Sequence, residues 1–380
     1  MKKKYIILSI ITLVLLIAFV TSFNYFKTSN TYVENNSNNQ TKITKGISMN
    51  LEQTAGAGDY KQVTQSSWPT EGYKFNAELS KCENGGEISW DDTKKAVIVS
   101  GNLSDKCYVY FDIYQLTLAE YIKSQYTGTQ GDNALYYHNS TLTNGAGDNS
   151  YRYAGASDSV NNYICLGSDV ATCPDANLFR IIGVFGDKTK VIRAKSVGYQ
   201  QWHTSADNTW SSSSLNAYLN GTYLTSLGTI AEKIATTTWK VGGGSGSNIS
   251  ASVPKTAYKN EVGSSASTTI IDKKIGLMYV SDYGFAASPS AWTKTLGDYD
   301  GTDANGTSIK TINWMYMGYN EWTISRDSDS SDTAFDVSSY GYVGYYGVDF
   351  SYGVRPSFNL ESSVKYVSGS GSMSDPVRVN

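Results

Sequence analysis

The side chains best able to do chemistry in this chain are few, and the most abundant polar aromatic is the phenol. Tyrosine occurs 30 times against 11 phenylalanines, with only 2 histidines and 4 cysteines. His138 and His203 have no readable nucleophile and acid partners, so no catalytic residue is assigned. Cys82, Cys107, Cys165 and Cys173 show no C-x-x-C spacing, which argues against a four-thiolate zinc site. In an exported chain they read as two disulfides. Four cysteines allow three connectivities and spacing alone does not choose, although local pairing needs the least reorganisation. The segment DYDGTDANGTS, 298–308, has oxygen ligands at short spacings but lacks the distal glutamate of an EF-hand loop, so it reads as a solvated loop. Neither a metal nor a cofactor is expected.

The phenols concentrate near the C-terminus, in SSYGYVGYYGVDFSYGVRPSF, 338–358. A tyrosine is costly to bury unless its hydroxyl finds a partner. Displayed, it makes broad contacts at low entropic cost. The candidate ligand-binding residues are therefore Tyr340, Tyr342, Tyr345, Tyr346, Asp349 and Tyr352, with Arg326 either at the site's edge or in a core ion pair. The plainer alternative is that the tyrosines cover a sheet and the interleaved glycines serve tight turns. Trp314 and Trp322 read as core.

Elements to position such a face can be read along the chain. Lys2, Lys3 and Lys4 precede YIILSIITLVLLIAFVTSF, an uncharged run of about 19 residues, long enough to cross a bilayer as a helix. The lysines would stay inside. Residues 1–23 are thus expected to form a transmembrane anchor, or a cleaved signal, with the bulk of the chain extracellular in either case. Residues 24–48 are polar, Asn-rich and aperiodic, as in a flexible stalk. Residues 49–114 hold short runs of β-branched and aromatic residues between turn signals, which predicts a small all-β sandwich of immunoglobulin-like type, a spacer that a Cys82–Cys107 bond would staple. The remainder, 115–380, opens with a helix in LTLAEYIKSQY capped by Thr117. NLFRIIGVFGDKTKVIRA predicts a hairpin turning at Gly186-Asp187. WSSSSLNAYLNGTYLTSL predicts a helix, and KIGLMYVSDYG a strand. With a net charge of −3 and 17% charged residues there is no basic stripe, which excludes an electrostatic nucleic-acid binder.

The elements NLFRIIGVF, WSSSSLNAYLN and EWTISR, the GVRPSFNL motif and the SGSGSMSDPVRV tail, in that order, resemble a family of uncharacterised bacterial and phage domains with a C-type-lectin-like fold, over about residues 150–380. That resemblance implies an α+β head. The wider fold includes sulfatase-modifying enzymes and variable proteins of diversity-generating retroelements. The latter similarly end in a tyrosine-rich stretch before an Arg-Pro motif, which would make Val354, Arg355 and Pro356 scaffold. The sulfatase-modifying enzymes use a reactive cysteine pair late in the fold, whereas Cys165 and Cys173 lie early. The expected function is a membrane-anchored extracellular protein that binds a protein or glycan at the cell surface. An enzyme of the sulfatase-modifying type, an envelope hydrolase and a structural envelope protein are the alternatives.

Overall fold

In the computed structural model the residues described are 46–64, 67–69, 72–101 and 105–380. The expected anchor, 1–23, and nearly all of the stalk lie outside them. The chain divides into two compact units, with the boundary between Gln115 and Leu116.

The first unit is all β. Strands β1 (Ile47–Glu52), β2 (Tyr60–Val63), β3 (Tyr73–Cys82) and β6 (Cys107–Ile113) form a sheet of order β2-β1-β6-β3, with β1 and β6 parallel. A hairpin, β4 (Glu87–Asp91) and β5 (Ala96–Ser100), packs on it. Alternate residues of β6 point inward: Cys107, Val109 and Phe111 are fully buried. Trp68, Phe75 and Trp90 converge on Phe111 with ring centroids 5.6–6.0 Å away. Cys82 and Cys107 face each other across β3 and β6 and are disulfide-bonded. So compact a core leaves little surplus over chain entropy, and the staple offsets part of that deficit.

The second unit is built on a nine-stranded sheet. Its main path runs β15 (Ile275–Gly276), β20 (Ser357–Leu360), β11 (Lys188–Arg193), β10 (Leu178–Phe185), β9 (Tyr163–Cys165), β22 (Val377–Val379) and β21 (Tyr366–Ser368), with β7 (Leu135–Tyr137) and β8 (Tyr151–Tyr153) joined beside β10. The apolar run of β10 is buried on both faces, which is why it reads as a continuous rather than an alternating pattern. Gly183 is required there: a Cβ would sit 2.1 Å from the carbonyl oxygen of Tyr151 in β8. The second disulfide joins Cys165 to Cys173. A two-stranded sheet, β13 (Thr237–Lys240) with β14 (Ile270–Lys273), lies apart from a five-stranded sheet of order β12 (Tyr199–Gln201), β19 (Ser351–Gly353), β16 (Glu321–Arg326), β17 (Thr333–Val337), β18 (Val343–Gly347).

The expectation of an α+β, C-type-lectin-like head with a transmembrane helix is corrected. The described chain is mostly β-sheet with few, short helices, and among the described residues no helix is long and apolar enough to cross a membrane. Two local causes shorten the helices. After Ser213 caps Ser214–Tyr218, the turn Leu219–Tyr223 opens into π geometry. There the Asn220 amide pairs with both backbone groups of Ile275, at 2.8 and 3.0 Å, and Gly221 has low helix propensity. The expected strand KIGLMYVSDYG is only two residues long before the chain turns into the helix Val280–Ala286. That helix starts where Asp282 accepts from the Tyr279 N–H and Glu261 accepts from the Val280 and Ser281 N–H groups.

Candidate functional site

The five-stranded sheet positions the tyrosine segment. Its register sets Trp322 beside Asp336, Asp336 beside Gly344 and Ala334 beside Tyr346. Because side chains alternate with a period of two, Tyr342, Gly344 and Tyr346 share a side with Asp336 and Trp322. Tyr352 of β19 joins that side, its ring 4.6 Å from Trp322 and 5.9 Å from Tyr346. Phe350 stands edge-on to Tyr346 at 4.6 Å. The opposite side carries Glu321, Thr323, Phe335 and Val343, all buried, with Tyr345 edge-on to Phe335 at 5.9 Å.

The residues singled out in the sequence are distributed as follows. Tyr340, Tyr345 and Tyr346 are 65%, 51% and 48% exposed, and Asp349 is also exposed. Tyr342 is half-buried, and Tyr352 is 9% exposed. Arg326 is half-buried and occupied internally, Nε donating to the Gly242 carbonyl at 3.0 Å and a terminal nitrogen to Asn208 Oδ1 at 3.1 Å. The structure therefore brings Tyr342, Tyr346 and Tyr352 to one patch. Tyr345 and Arg326 lie off it. Arg355 is buried, and its fork grips both oxygens of Glu321 at 2.5 and 2.8 Å and the Met315 carbonyl at 2.8 Å. That charge-assisted pair ties β16 to the segment following β19 and fixes the base of the tyrosine strands.

Asp336 is the residue that sequence reasoning missed. It sits in the middle of the patch, 5% exposed. Its carboxylate accepts from its own backbone N–H and makes no hydrogen bond or ion pair with another described residue. Burial pushes its carboxyl up to about 7. Burial and then the Asp336 carboxylate push the neighbouring Tyr352 phenol up to about 12. Directly across from it, Gly344 has no side chain: a Cβ there would lie 3.5 Å from Asp336 Oδ1 and 3.2 Å from the Tyr342 ring. The cross-strand glycine thus lets the Tyr342 ring lie close beside the carboxylate.

A second polar centre lies elsewhere in the unit, in a cavity of about 200 Å³ walled by Trp239, Tyr258 and Tyr279 over Arg152, Lys190 and Asp282. Here the charges are matched. Lys190 Nζ is 2.5 Å from Asp282, and Arg152 reaches Asp148 at 2.7 Å and Asp282 at 3.6 Å. Burial pulls Lys190 down from the usual lysine range even with that partner, and pushes Glu261 up although both of its oxygens accept hydrogen bonds. His138 is fully buried, its Nδ1 accepting from the Ala146 N–H. Asp303 of the 298–308 loop is occupied by Ser290 and the N–H groups of Asn305 and Thr307. Among the described residues no three His, Cys, Asp or Glu side chains are grouped to hold a metal ion.

No curated protein and no solved structure matches this chain. Residues 186–362, a span that holds all five strands of the tyrosine-bearing sheet, match the family described as a domain of unknown function, DUF6273.

Proposed function

We propose that this chain is an exported, non-catalytic binding protein whose second unit recognises a ligand through the tyrosine-rich surface of 338–352. The carrying observation is that Tyr340, Tyr346 and Phe350 are exposed on strands and turns anchored by a buried core, while Trp202, Trp239, Trp314 and Trp322 of the same unit are buried. Rigid phenols on a fixed sheet contribute contact area with few rotamers to freeze, which is what a recognition surface needs. Two disulfides fit an oxidising compartment. The lysines and apolar run at the N-terminus fit export across a membrane. On this reading the first unit is a spacer of immunoglobulin-like type.

The ligand is a protein or a glycan exposed at that surface. The test is a protein and glycan array probed with the full chain beside a variant carrying Tyr342→Ser, Tyr345→Ser and Tyr346→Ser. The expected result is loss of the wild-type signals from the triple variant at unchanged thermal stability. Equal signals from both would reject the surface.

A further inference from the structure

We propose that the aromatic-walled cavity over Arg152, Lys190 and Asp282 is a second binding site, and that it takes one neutral hexopyranose ring, the end residue of an uncharged glycan. The inference does not depend on the tyrosine surface of 338–352, because the five-stranded sheet contributes no residue to the cavity's lining.

Several elements assemble the cavity. β8 supplies Arg152, β11 supplies Lys190 and β13 supplies Trp239. The helix Pro254–Glu261 adds Tyr258, and the chain entering the helix Val280–Ala286 adds Tyr279 and Asp282. The floor is deep: Arg152, Lys190 and Asp282 are 2%, 5% and 3% exposed. The rim, with Phe185, Thr238, Lys240 and Tyr258, is more open.

Three properties select the occupant. The first is size. The space is about 200 Å³. Sites for drug-sized ligands begin at roughly 300 Å³, so there is room for a single small ring. The second is charge. Lys190 is paired with Asp282, and Arg152 with Asp148 and, at longer range, Asp282. No net charge is left at the floor for an ionic ligand to neutralise. The ring faces are taken as well. Lys190 Nζ lies 4.6 Å from the centre of the Tyr279 ring and 5.3 Å from that of Trp239. The Arg152 guanidinium lies 4.6 Å from Phe185 and 5.1 Å from Tyr258. A ligand ammonium would therefore meet two positive charges and no empty cage. A ligand carboxylate or phosphate would meet Asp148 and Asp282 beside the same cations. Lys240, on the rim, donates to the Gly263 carbonyl.

The third property is unused hydrogen-bonding capacity. Asp282 spends Oδ2 on Lys190 and on the Tyr279 N–H. Its Oδ1 has only Arg152 Nη1, at 3.6 Å, beyond hydrogen-bond length, and Nη1 donates to no described residue. Lys190 uses one of its three donors. An acceptor and two donors thus stand side by side over charges that cancel. Neighbouring hydroxyls of a sugar match that set, one donating to Asp282 and the next accepting from Lys190 or Arg152 in charge-assisted bonds. The C–H groups of the sugar ring pack against Trp239, Tyr258 and Tyr279.

The experiment titrates the full chain with methyl β-D-glucopyranoside, methyl β-D-galactopyranoside and methyl α-D-mannopyranoside, and follows the Trp239 indole N–H and the Tyr258 ring by NMR. Saturable shifts at both residues are expected from at least one of the sugars. Replacing either of two neighbouring hydroxyls of that sugar by hydrogen should weaken binding about tenfold. Its uronic-acid and amino-sugar counterparts should bind no more tightly than the parent. Tyr258→Ala, which removes one wall, should also weaken binding about tenfold. The triple variant Tyr342→Ser, Tyr345→Ser and Tyr346→Ser should bind as the unaltered chain does, which separates this site from the tyrosine surface. The deoxy series needs no variant and decides the matter where Tyr258→Ala does not fold. No shifts from any of the three sugars, deoxy sugars that all bind as well as the parent, tighter binding of a charged counterpart, unchanged binding by folded Tyr258→Ala, or loss of the shifts in the triple variant would each overturn the proposal.

Discussion

Two buried aspartates in one unit are handled in opposite ways. Asp282, 3% exposed, accepts from Lys190, from the Tyr279 N–H and, at longer range, from Arg152. Asp336 is as deeply placed and has only its own N–H. Asp282 ties β11, β8 and the helix Val280–Ala286 together, so its charge is spent on the fold. Asp336 ties nothing to anything. A carboxyl kept from water without a partner costs stability when it ionises, and its pKa rises instead. The comparison therefore separates a carboxylate paired with two cations from one with no partner side chain among the described residues, although the two look alike in burial.

The sharpest way to break that comparison is to remove each carboxylate. Asp282→Asn leaves Lys190 and Arg152 short of a buried counter-charge and is expected to destabilise the protein by about 3–5 kcal/mol in urea denaturation. Asp336→Asn should do the reverse and raise stability at pH 8. A carboxyl moved from 3.8 to about 7 sets a ceiling of about 4 kcal/mol on the gain, at about 1.4 kcal/mol per pH unit. The gain has a defined pH window. Below pH 3.8 the aspartate is protonated folded and unfolded, and the variant has no advantage. Between 3.8 and about 7 the unfolded chain releases the proton first, so the wild type loses stability as pH rises; above about 7 the full difference is present. Parallel stability–pH curves for the two proteins would break the account of Asp336.

Smaller effects sharpen the picture. Replacing Cys165 and Cys173 together by alanine opens a loop of sequence separation 8 and is expected to cost roughly 2–3 kcal/mol, read from the shift in denaturation midpoint. Tyr346→Ser and Tyr345→Ser should each change stability by less than about 0.5 kcal/mol, because both rings stand at the surface. A loss several times larger, measured the same way, would mean that the rings are packing elements and would favour the plainer alternative of tyrosines covering a sheet.

What the sequence allows to be read follows from how local each feature is. The hairpin of β10 and β11 was legible because its strands adjoin and their apolar runs flank an obvious Gly-Asp turn. The helix after Thr117 was legible because its capping box lies within four residues. The helix Val280–Ala286 was not: every residue in it is buried, so no amphipathic period marks it, and one of its caps, Glu261, comes from another helix. The α+β expectation failed for a related reason, since the helical runs are broken by long-range side-chain contacts such as that of Asn220 with Ile275. The tyrosines themselves were visible. Their grouping was not, because β12 pairs with β19 some 150 residues away, and no local pattern encodes that register. Asp336 carries a faint signal, a charge inside the strand TAFDV. Only the register that sets it opposite Gly344 gives that charge meaning.

The most direct test is the titration of the Asp336 carboxyl carbon by NMR in the full chain. A midpoint near 7 is expected, because burial with no partner side chain disfavours the carboxylate. A midpoint in the ordinary aspartate range would contradict the contrast between Asp336 and the paired Asp282.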